Sequence, residues 1–380
     1  QRSFLQWKAV KTGLLRMPVQ RNRSEMEIPA VLLFVCTTVK TSLSGFTSMK
    51  RKNSGTARKK YFWEENNMQV ITGTREFQIE EPTAVTIGKF DGRHKGHQKL
   101  LREMLCFKER QGLKAAVFTF DMAPAGVMAG RVQTVITTNQ ERRNKMAKMG
   151  IDYLVEYPFD DQVRRMAPED FVVQILSGRM KAAAIVVGPD CSFGYQGAGN
   201  AELLRKLAAS CGYSLYVIKK EQDEDRHRDI SSTYIREELA CGNVAKANEL
   251  LGEPYAIHGK VVHGNHIGGA VLGFPTANLI PPAIKRLPRY GVYVSRVLVD
   301  GVYYQGVTNM GKKPTVEGNN PPGAETYIMG LDRDIYGSTI EVQLLDFIRG
   351  ERKFDSLEEL KEQISRDKEA AAGFFEKKFK

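Results

Sequence analysis

Between Pro82 and about Leu251 the chain alternates β-rich apolar runs with segments of helical spacing, and beyond Leu251-Gly252 that alternation stops. Thr83 to Phe90, Lys114 to Phe120, Ala182 to Val187 and Ser214 to Ile218 read as strands. Between them, His97 to Glu109 sets Leu100, Leu101, Met104 and Leu105 at helical intervals, and Pro168 to Leu176 and Ala201 to Cys211 also read as helices. Strand, loop and helix repeated in that order predict a doubly wound, Rossmann-like parallel sheet. After Gly252 come short runs separated by Gly, Pro and Asn: Ala256 to His263, Gly291 to Val299, Val302 to Thr308, Glu325 to Leu331 and Ile340 to Phe347. They predict antiparallel strands closing into a barrel or a sandwich, with Ser356-Leu357-Glu358-Glu359 as a capping box opening a terminal helix. The expected organisation is an α/β domain over residues 68–250 and a β-barrel domain over 251–380.

A chain of 380 residues has room for two or three such domains. Its net charge of +12 would suit a nucleic-acid or membrane partner if it were spread over the fold. It is not spread. Residues 1–67 carry 13 Lys/Arg against 4 Asp/Glu, and the rest of the chain carries 43 against 40. The apolar run Ile28 to Cys36 is far shorter than the roughly 20 residues of a membrane span. It can be read as a signal-peptide core, and the acid-poor Ser/Thr-rich stretch to Lys60 as a transit peptide. The reading preferred over both is that Met68 is the true start and that residues 1–67 have no folded role. The five cysteines lack a C-x-x-C pair or zinc spacing, which fits a reduced, cytoplasmic setting. No nucleic-acid or membrane partner is expected, and the oligomeric state is not legible.

The segment Gly88-Lys89-Phe90-Asp91-Gly92-Arg93-His94-Lys95-Gly96-His97 leaves the first strand of the α/β region and enters its first helix. Ligands of open α/β sheets bind at such strand ends, and free N–H groups at a helix start favour phosphate. Gly88, Phe90, Asp91 and Gly96 are therefore candidate contacts for a phosphate-bearing ligand, with His94 and His97 facing one pocket. Two later segments are expected to converge there. Val186-Val187-Gly188-Pro189-Asp190 ends another strand and offers Asp190. Ile230-Ser231-Ser232-Thr233-Tyr234-Ile235-Arg236 offers Ser231, Ser232, Thr233 and Arg236, either as a helix cap with a solvated Arg or as a triphosphate clamp.

In the barrel region Gly273-Phe274-Pro275-Thr276-Ala277-Asn278-Leu279 sets Thr276 and Asn278 two apart on an extended segment, so both point to the same side. Two neutral oxygens suit Mg²⁺ that also takes oxygens from ATP. Upstream, Gly264, Gly268 and Gly269 form a loop able to lie over phosphates.

The His-x-Gly-His loop resembles the signature of the nucleotidyltransferase superfamily. With Val-Gly-x-Asp-x-x-Phe-Gly and Ile-Ser-Ser-Thr-x-Ile-Arg it resembles the adenylyltransferase module of the prokaryotic bifunctional riboflavin kinase/FMN adenylyltransferase (FAD synthetase) family. Gly291-Val292-Tyr293, Gly306 to Gly311 with Pro314-Thr315, Glu325-Thr326, Asp334 to Gly337, and Phe347-Ile348-Arg349 followed by Lys353-Phe354 match the kinase module in order. The resemblance covers about Thr83 to Asp367. It implies two reactions: ATP and riboflavin give FMN and ADP in the C-terminal domain, then ATP and FMN give FAD and diphosphate in the N-terminal one. It implies that His94 and His97 bind ATP phosphates and that Ser232, Thr233 and Arg236 hold the β/γ end. Thr276 and Asn278 would serve MgATP, and Glu325 would be the general base for the riboflavin 5′-hydroxyl.

Four departures accompany the resemblance. The family commonly has Phe-Asp-Pro-His-Pro where this chain has Phe120-Asp121-Met122-Ala123-Pro124, so a histidine near the phosphates is absent. Lys89 and Arg93 add positive charge where the family loop is usually uncharged, a partial compensation. The loop from Gly264 to Leu272 is one residue longer than usual and lacks an Arg. After Glu325 the chain reads Thr-Tyr-Ile-Met-Gly, where the family tends to have a His and an Asp. The first departure motivates an alternative, a riboflavin kinase with a degenerate adenylyltransferase module.

Overall fold

A computed structural model describes residues 61–65, 67–122, 133–225, 227–263, 276–311 and 321–378, all of which belong to one compact unit. Seven strands form the first sheet: β1 (Tyr61–Glu65), β2 (Met68–Thr72), β3 (Thr83–Ile87), β4 (Lys114–Phe120), β5 (Tyr153–Tyr157), β6 (Ala182–Val187) and β7 (Ser214–Val217). Their order is β1-β2-β5-β4-β3-β6-β7, with every pairing parallel except β1 with β2. Strand side chains alternate between faces, and here both faces are covered. Val70, Ala84, Val117, Leu154 and Val186 pack under helices Lys95–Gln111 and Asn139–Lys148. Their neighbours Ile71, Val85, Phe118, Val155 and Ile185 pack under Phe171–Arg179 and Ala201–Cys211. The doubly wound expectation holds.

Several elements depart from the sequence reading, three of them in ways that bear on the fold. β1 lies within residues 1–67, where no folded role was expected, and pairs with β2 from Tyr61↔Thr72 to Glu65↔Met68. β5 was not anticipated, because Glu156 interrupts its apolar run; that carboxylate is buried and held by Arg142 and Arg143. The helix expected from Pro168 forms as a short turn, Pro168–Asp170, running into a wider helix, Phe171–Arg179. The Met180 N–H closes that helix on the Ile175 carbonyl at 2.9 Å, five residues back.

A two-stranded hairpin, β8 (Gln222–Asp223) with β9 (Arg228–Asp229), precedes two helices, Ser232–Cys241 and Val244–Leu251. Gly252, at φ +73°, stops the second helix in a left-handed turn that residues with a Cβ adopt reluctantly. There the texture of the chain changes. β10 (Tyr255–Val262), β11 (Thr276–Leu279), β12 (Gly291–Val299), β13 (Val302–Gly311), β14 (Gly323–Ile328) and β15 (Thr339–Gly350) close an antiparallel barrel in the order β10-β11-β14-β13-β12-β15.

The terminal helix Leu357–Lys378 buries Ala371 and Phe375 against Val292, Val294, Val307 and Leu345 of the barrel. Arg349 clamps it, donating to Asp367 at 2.7 Å. Its expected capping box is half formed. Ser356 accepts the Glu359 N–H at 3.1 Å, whereas the Glu359 carboxylate accepts from Asp355. Between helices Ser232–Cys241 and Val244–Leu251 and the barrel the apolar core is continuous: Ile136, Tyr234, Leu239, Leu250 and Leu251 share one cluster with Tyr255, Ile257, Val297 and Leu344.

Candidate active sites

The chain runs from β3 to β4 on one side and to β6 on the other, so the order reverses between β3 and β6. Open parallel sheets gather ligands at the carboxyl ends of strands flanking such a switch. The loop Gly88 to His97 leaves β3 there, and Gly188 to Asp190 leaves β6.

His94 caps the helix that follows, its Nδ1 accepting the His97 N–H at 3.4 Å, and the two imidazoles stack with centroids 3.7 Å apart. Gly96 is confined: a Cβ there would meet the His94 ring at 3.3 Å and the Ile230 carbonyl at 3.8 Å. The first and third motifs are thus in contact. Burial drops the His94 imidazole to about 4, with the Asp190 charge working the other way. Burial and the neighbouring His94 hold His97 well below the ordinary histidine range. Both rings are neutral at physiological pH, and among the described residues the His97 Nδ1 is buried without a hydrogen-bond partner. A buried polar atom without a partner is costly unless a ligand supplies one.

The Asp91 carboxylate is engaged within the fold. Its Oδ1 accepts the N–H groups of Ile136 at 2.8 Å and Thr137 at 3.1 Å, and its Oδ2 pairs with Arg236. Burial raises the Asp91 carboxyl, with the Arg236 charge opposing. The Arg236 guanidinium still keeps its Nε buried and unpartnered among the described residues. Ser231 caps helix Ser232–Cys241 by accepting the Tyr234 N–H at 3.2 Å, and Ser232 donates to the Asp91 carbonyl at 2.8 Å. Thr233 is exposed at the first turn, Phe90 is buried 5.1 Å from the His97 ring, and Gly88 is exposed above it. Asp190 pairs with Lys220 at 3.1 Å, and Lys220 also reaches Asp229 at 3.1 Å. Arg93 does not supplement this charge, because its guanidinium pairs with Glu253 at 2.7 Å, where Lys145 also binds. Ala123, at which the family histidine would stand, lies outside the described residues.

The second constellation is on the barrel. β11 pairs with β14 so that Asn278 lies opposite Glu325 and Thr276 opposite Tyr327. Alternation puts Thr276, Asn278 and Glu325 on one face and Ala277 and Thr326 on the other. The Thr276 hydroxyl donates to the Glu325 Oε1 at 2.8 Å. Asn309 of β13 lies opposite Glu325 on its other flank. A hydroxyl, an amide oxygen and a carboxylate side by side are hard oxygen donors of the kind Mg²⁺ takes. Gly264 and Gly268 lie outside the described residues. Elsewhere, Asp223, Asp225 and Glu249 approach within metal-ligating reach, but Lys246 already fills the space, 2.7 to 3.0 Å from each.

Residues 76–234 match the FAD synthetase family and residues 251–375 the riboflavin kinase family. A bifunctional riboflavin kinase/FMN adenylyltransferase of Bacillus subtilis (strain 168) is 35% identical over 299 residues, which is 77% of this chain and 92% of the relative. One of the same description from Escherichia coli (strain K12) is 35% identical over 312 residues, 81% of this chain and 98% of the relative. The chain belongs to the bifunctional riboflavin kinase/FMN adenylyltransferase family. A solved chain from Streptococcus pneumoniae, described as a macrolide-efflux protein, superposes with a TM-score of 0.72 at 32% identity, covering 80% of this chain and 99% of that one. No described helix here is long and apolar enough to cross a membrane.

With both family domains present, the kinase-only alternative drawn from Ala123 has no support. Lys220 and Lys285 are the charged side chains that the sequence reading missed. Neither sits in a motif, and only the fold brings Lys220 to Asp190 or Lys285 to Glu141.

Proposed function

We propose that this family member makes FMN at the face shared by β11 and β14 and converts it to FAD at the β3–β6 switch. Riboflavin, FMN and FAD are the substrates and products that go with its two domains. In the first transfer the riboflavin 5′-hydroxyl oxygen bonds to the γ-phosphorus of ATP, ADP leaves, and Glu325 takes the hydroxyl proton. An alcohol needs such a base within hydrogen-bond reach. Thr276 orients the Glu325 carboxylate through its hydrogen bond and, with Asn278, supplies oxygens to Mg²⁺. That ion, when bound, neutralises charge on the ATP phosphates. Gly264 and Gly268 are assigned to the covering loop.

In the second transfer the FMN phosphate oxygen bonds to the α-phosphorus of ATP and diphosphate leaves. The nucleophile is already anionic, so positioning and charge neutralisation are the task. Neutral His94 and His97 donate to phosphate oxygens. Arg236, with Ser232, Thr233 and the start of helix Ser232–Cys241, holds the β/γ end, and Gly88, Phe90, Gly96 and Asp190 shape the nucleotide pocket. Asp91 orients Arg236 and does not itself contact phosphate.

The convergence of the His94–His97 loop with the Ile230–Arg236 segment at the sheet's switch point carries this reading. Incubation with riboflavin and MgATP, followed by chromatography, tests it. FMN should appear first and FAD after it; a protein that accumulates FMN and makes no FAD from supplied FMN overturns the adenylyl-transfer half. The nearly balanced charge beyond residue 67 supports an enzyme of small molecules without a nucleic-acid partner, and the family's bacterial members support a cytoplasmic setting.

A further inference from the structure

Between Asp91 and the connector at Ile284 to Arg286 runs a short peptide, Val135 to Thr137. On one side its N–H groups at Ile136 and Thr137 converge on the Asp91 Oδ1. On the other, Val135 pairs in parallel with Lys285 of the β11–β12 connector, its N–H donating to the Ile284 carbonyl and its carbonyl accepting from Arg286, both at 2.8 Å. The Lys285 ammonium donates to the Ile136 carbonyl at 2.9 Å and to both oxygens of Glu141 at 2.8 Å. Its side chain is only 3% exposed, and its Nζ lies 4.7 Å from the centre of the Tyr255 ring.

Burying this ion pair carries a desolvation cost that an apolar contact of similar size avoids. A docking surface that only needed to adhere has no use for it. What the pair does that a Leu–Leu contact does not is fix the peptide's position and orientation. The Asp91 carboxylate divides its two oxygens, one for the peptide and one for Arg236. Wherever the peptide N–H groups sit, the carboxylate plane follows, and the guanidinium with it.

We propose that Lys285, from the kinase barrel, is a positioning residue for adenylyl transfer, acting through the Ile136–Thr137 peptide and Asp91 on Arg236. This rests on the assignment of Arg236 to the ATP β/γ-phosphates. A second consequence is built in: the connector that carries Lys285 leaves β11 directly after Thr276 and Asn278, so the adenylyltransferase site is complete only with the kinase barrel docked.

The test uses the full chain and two assays, FAD formation from supplied FMN and ATP, and FMN formation from riboflavin and ATP. Lys285→Met and, from the opposite side of the contact, Glu141→Gln should each raise the ATP KM for FAD formation by about tenfold, leaving the FMN KM and the kinase parameters within about twofold. Lys285→Met should add nothing to Arg236→Met, because both act at one guanidinium. An unchanged ATP KM overturns the proposal. So does an equal fall in both transfers, the mark of a general loss of fold, or a further ATP defect in the Arg236→Met background. A wild-type chain that makes no FAD fails the proposed function itself, which is a separate result.

Discussion

The Thr276 hydroxyl donates to the Glu325 carboxylate at 2.8 Å across two antiparallel strands, with Asn278 directly opposite Glu325. That hydrogen bond leaves the other carboxylate oxygen, Oε2, for a substrate hydroxyl. Glu325→Gln keeps the shape and removes the proposed base. Its rate of FMN formation should fall by about 100-fold or more, while conversion of supplied FMN to FAD continues. Separate chromatographic assays of the two products measure this, and a wild-type rate of FMN formation in Glu325→Gln would remove Glu325 from the base role.

His97→Ala should show the opposite pattern. Loss of a preorganised donor to the transferring phosphates costs about 100- to 1,000-fold, so riboflavin and ATP should yield FMN and stop there. Because burial holds the His94 imidazole at about 4 and keeps His97 well below the ordinary histidine range, FAD formation should have no imidazole-dependent limb between about pH 6 and 8. A pH profile that loses a limb near neutrality in His94→Gln would contradict it.

His258 sits between Glu141 of the first domain and Glu341 of the barrel, at 3.0 and 2.9 Å. Burial alone would lower its pKa, yet hydrogen bonds and charge from the two carboxylates outweigh burial and raise it. Burial would likewise raise Glu141, but His258 and Lys285 hold it at about 2; Glu341 is held at about 2 chiefly by His258. A raised histidine contributes stability in full below its unfolded value of 6.5 and loses it as pH climbs through the folded value. The carboxylates contribute above their unfolded 4.5 and lose it as pH falls toward about 2. Thermal midpoints should therefore plateau between about pH 4.5 and 6.5 and decline above. His258→Gln should flatten the alkaline decline, and an unaltered decline would assign it to other groups.

Asp367→Asn should release the terminal helix. The Asp367 carboxylate is 3% exposed and takes Arg349 and Gln363 together. Removing its charge leaves a largely buried guanidinium without its counter-ion, at a cost of about 2–3 kcal/mol. Urea unfolding should report it as a lower midpoint, and a midpoint within error of wild type would make the clamp dispensable.

Continuous apolar runs such as Ala182 to Val187 were readable as buried strands because no polar residue breaks them, and the Thr276–Asn278 spacing was readable because strand alternation is strict. β5 was hidden because a buried Glu156 looks solvent-facing until two arginines from a neighbouring helix are placed on it. In the site, the sequence brought His94, His97 and Arg236 to one region. It assigned Asp91 to the nucleotide because the partners that engage it are an arginine 145 residues away and two backbone N–H groups of a peptide with no motif. Lys285 was illegible for the same reason: its meaning is set by Glu141, across 144 residues of chain.

The core shared by Tyr234, Leu239 and Leu250 with Ile257, Val297 and Leu344 bears on how such chains can be recombined. A chimaera that exchanges barrels between relatives at Gly252 would seat foreign side chains on helices inherited from the other parent. Each fully buried aliphatic residue on that surface is worth about 1.5–3 kcal/mol, and mismatched packing forfeits part of each. The tolerant crossover lies upstream of helix Ser232–Cys241, so that both helices travel with the barrel they were fitted to, and the Asp91–Arg236, Glu141–Lys285, Glu141–His258 and Arg93–Glu253 pairs are then among the contacts that the two parents must negotiate.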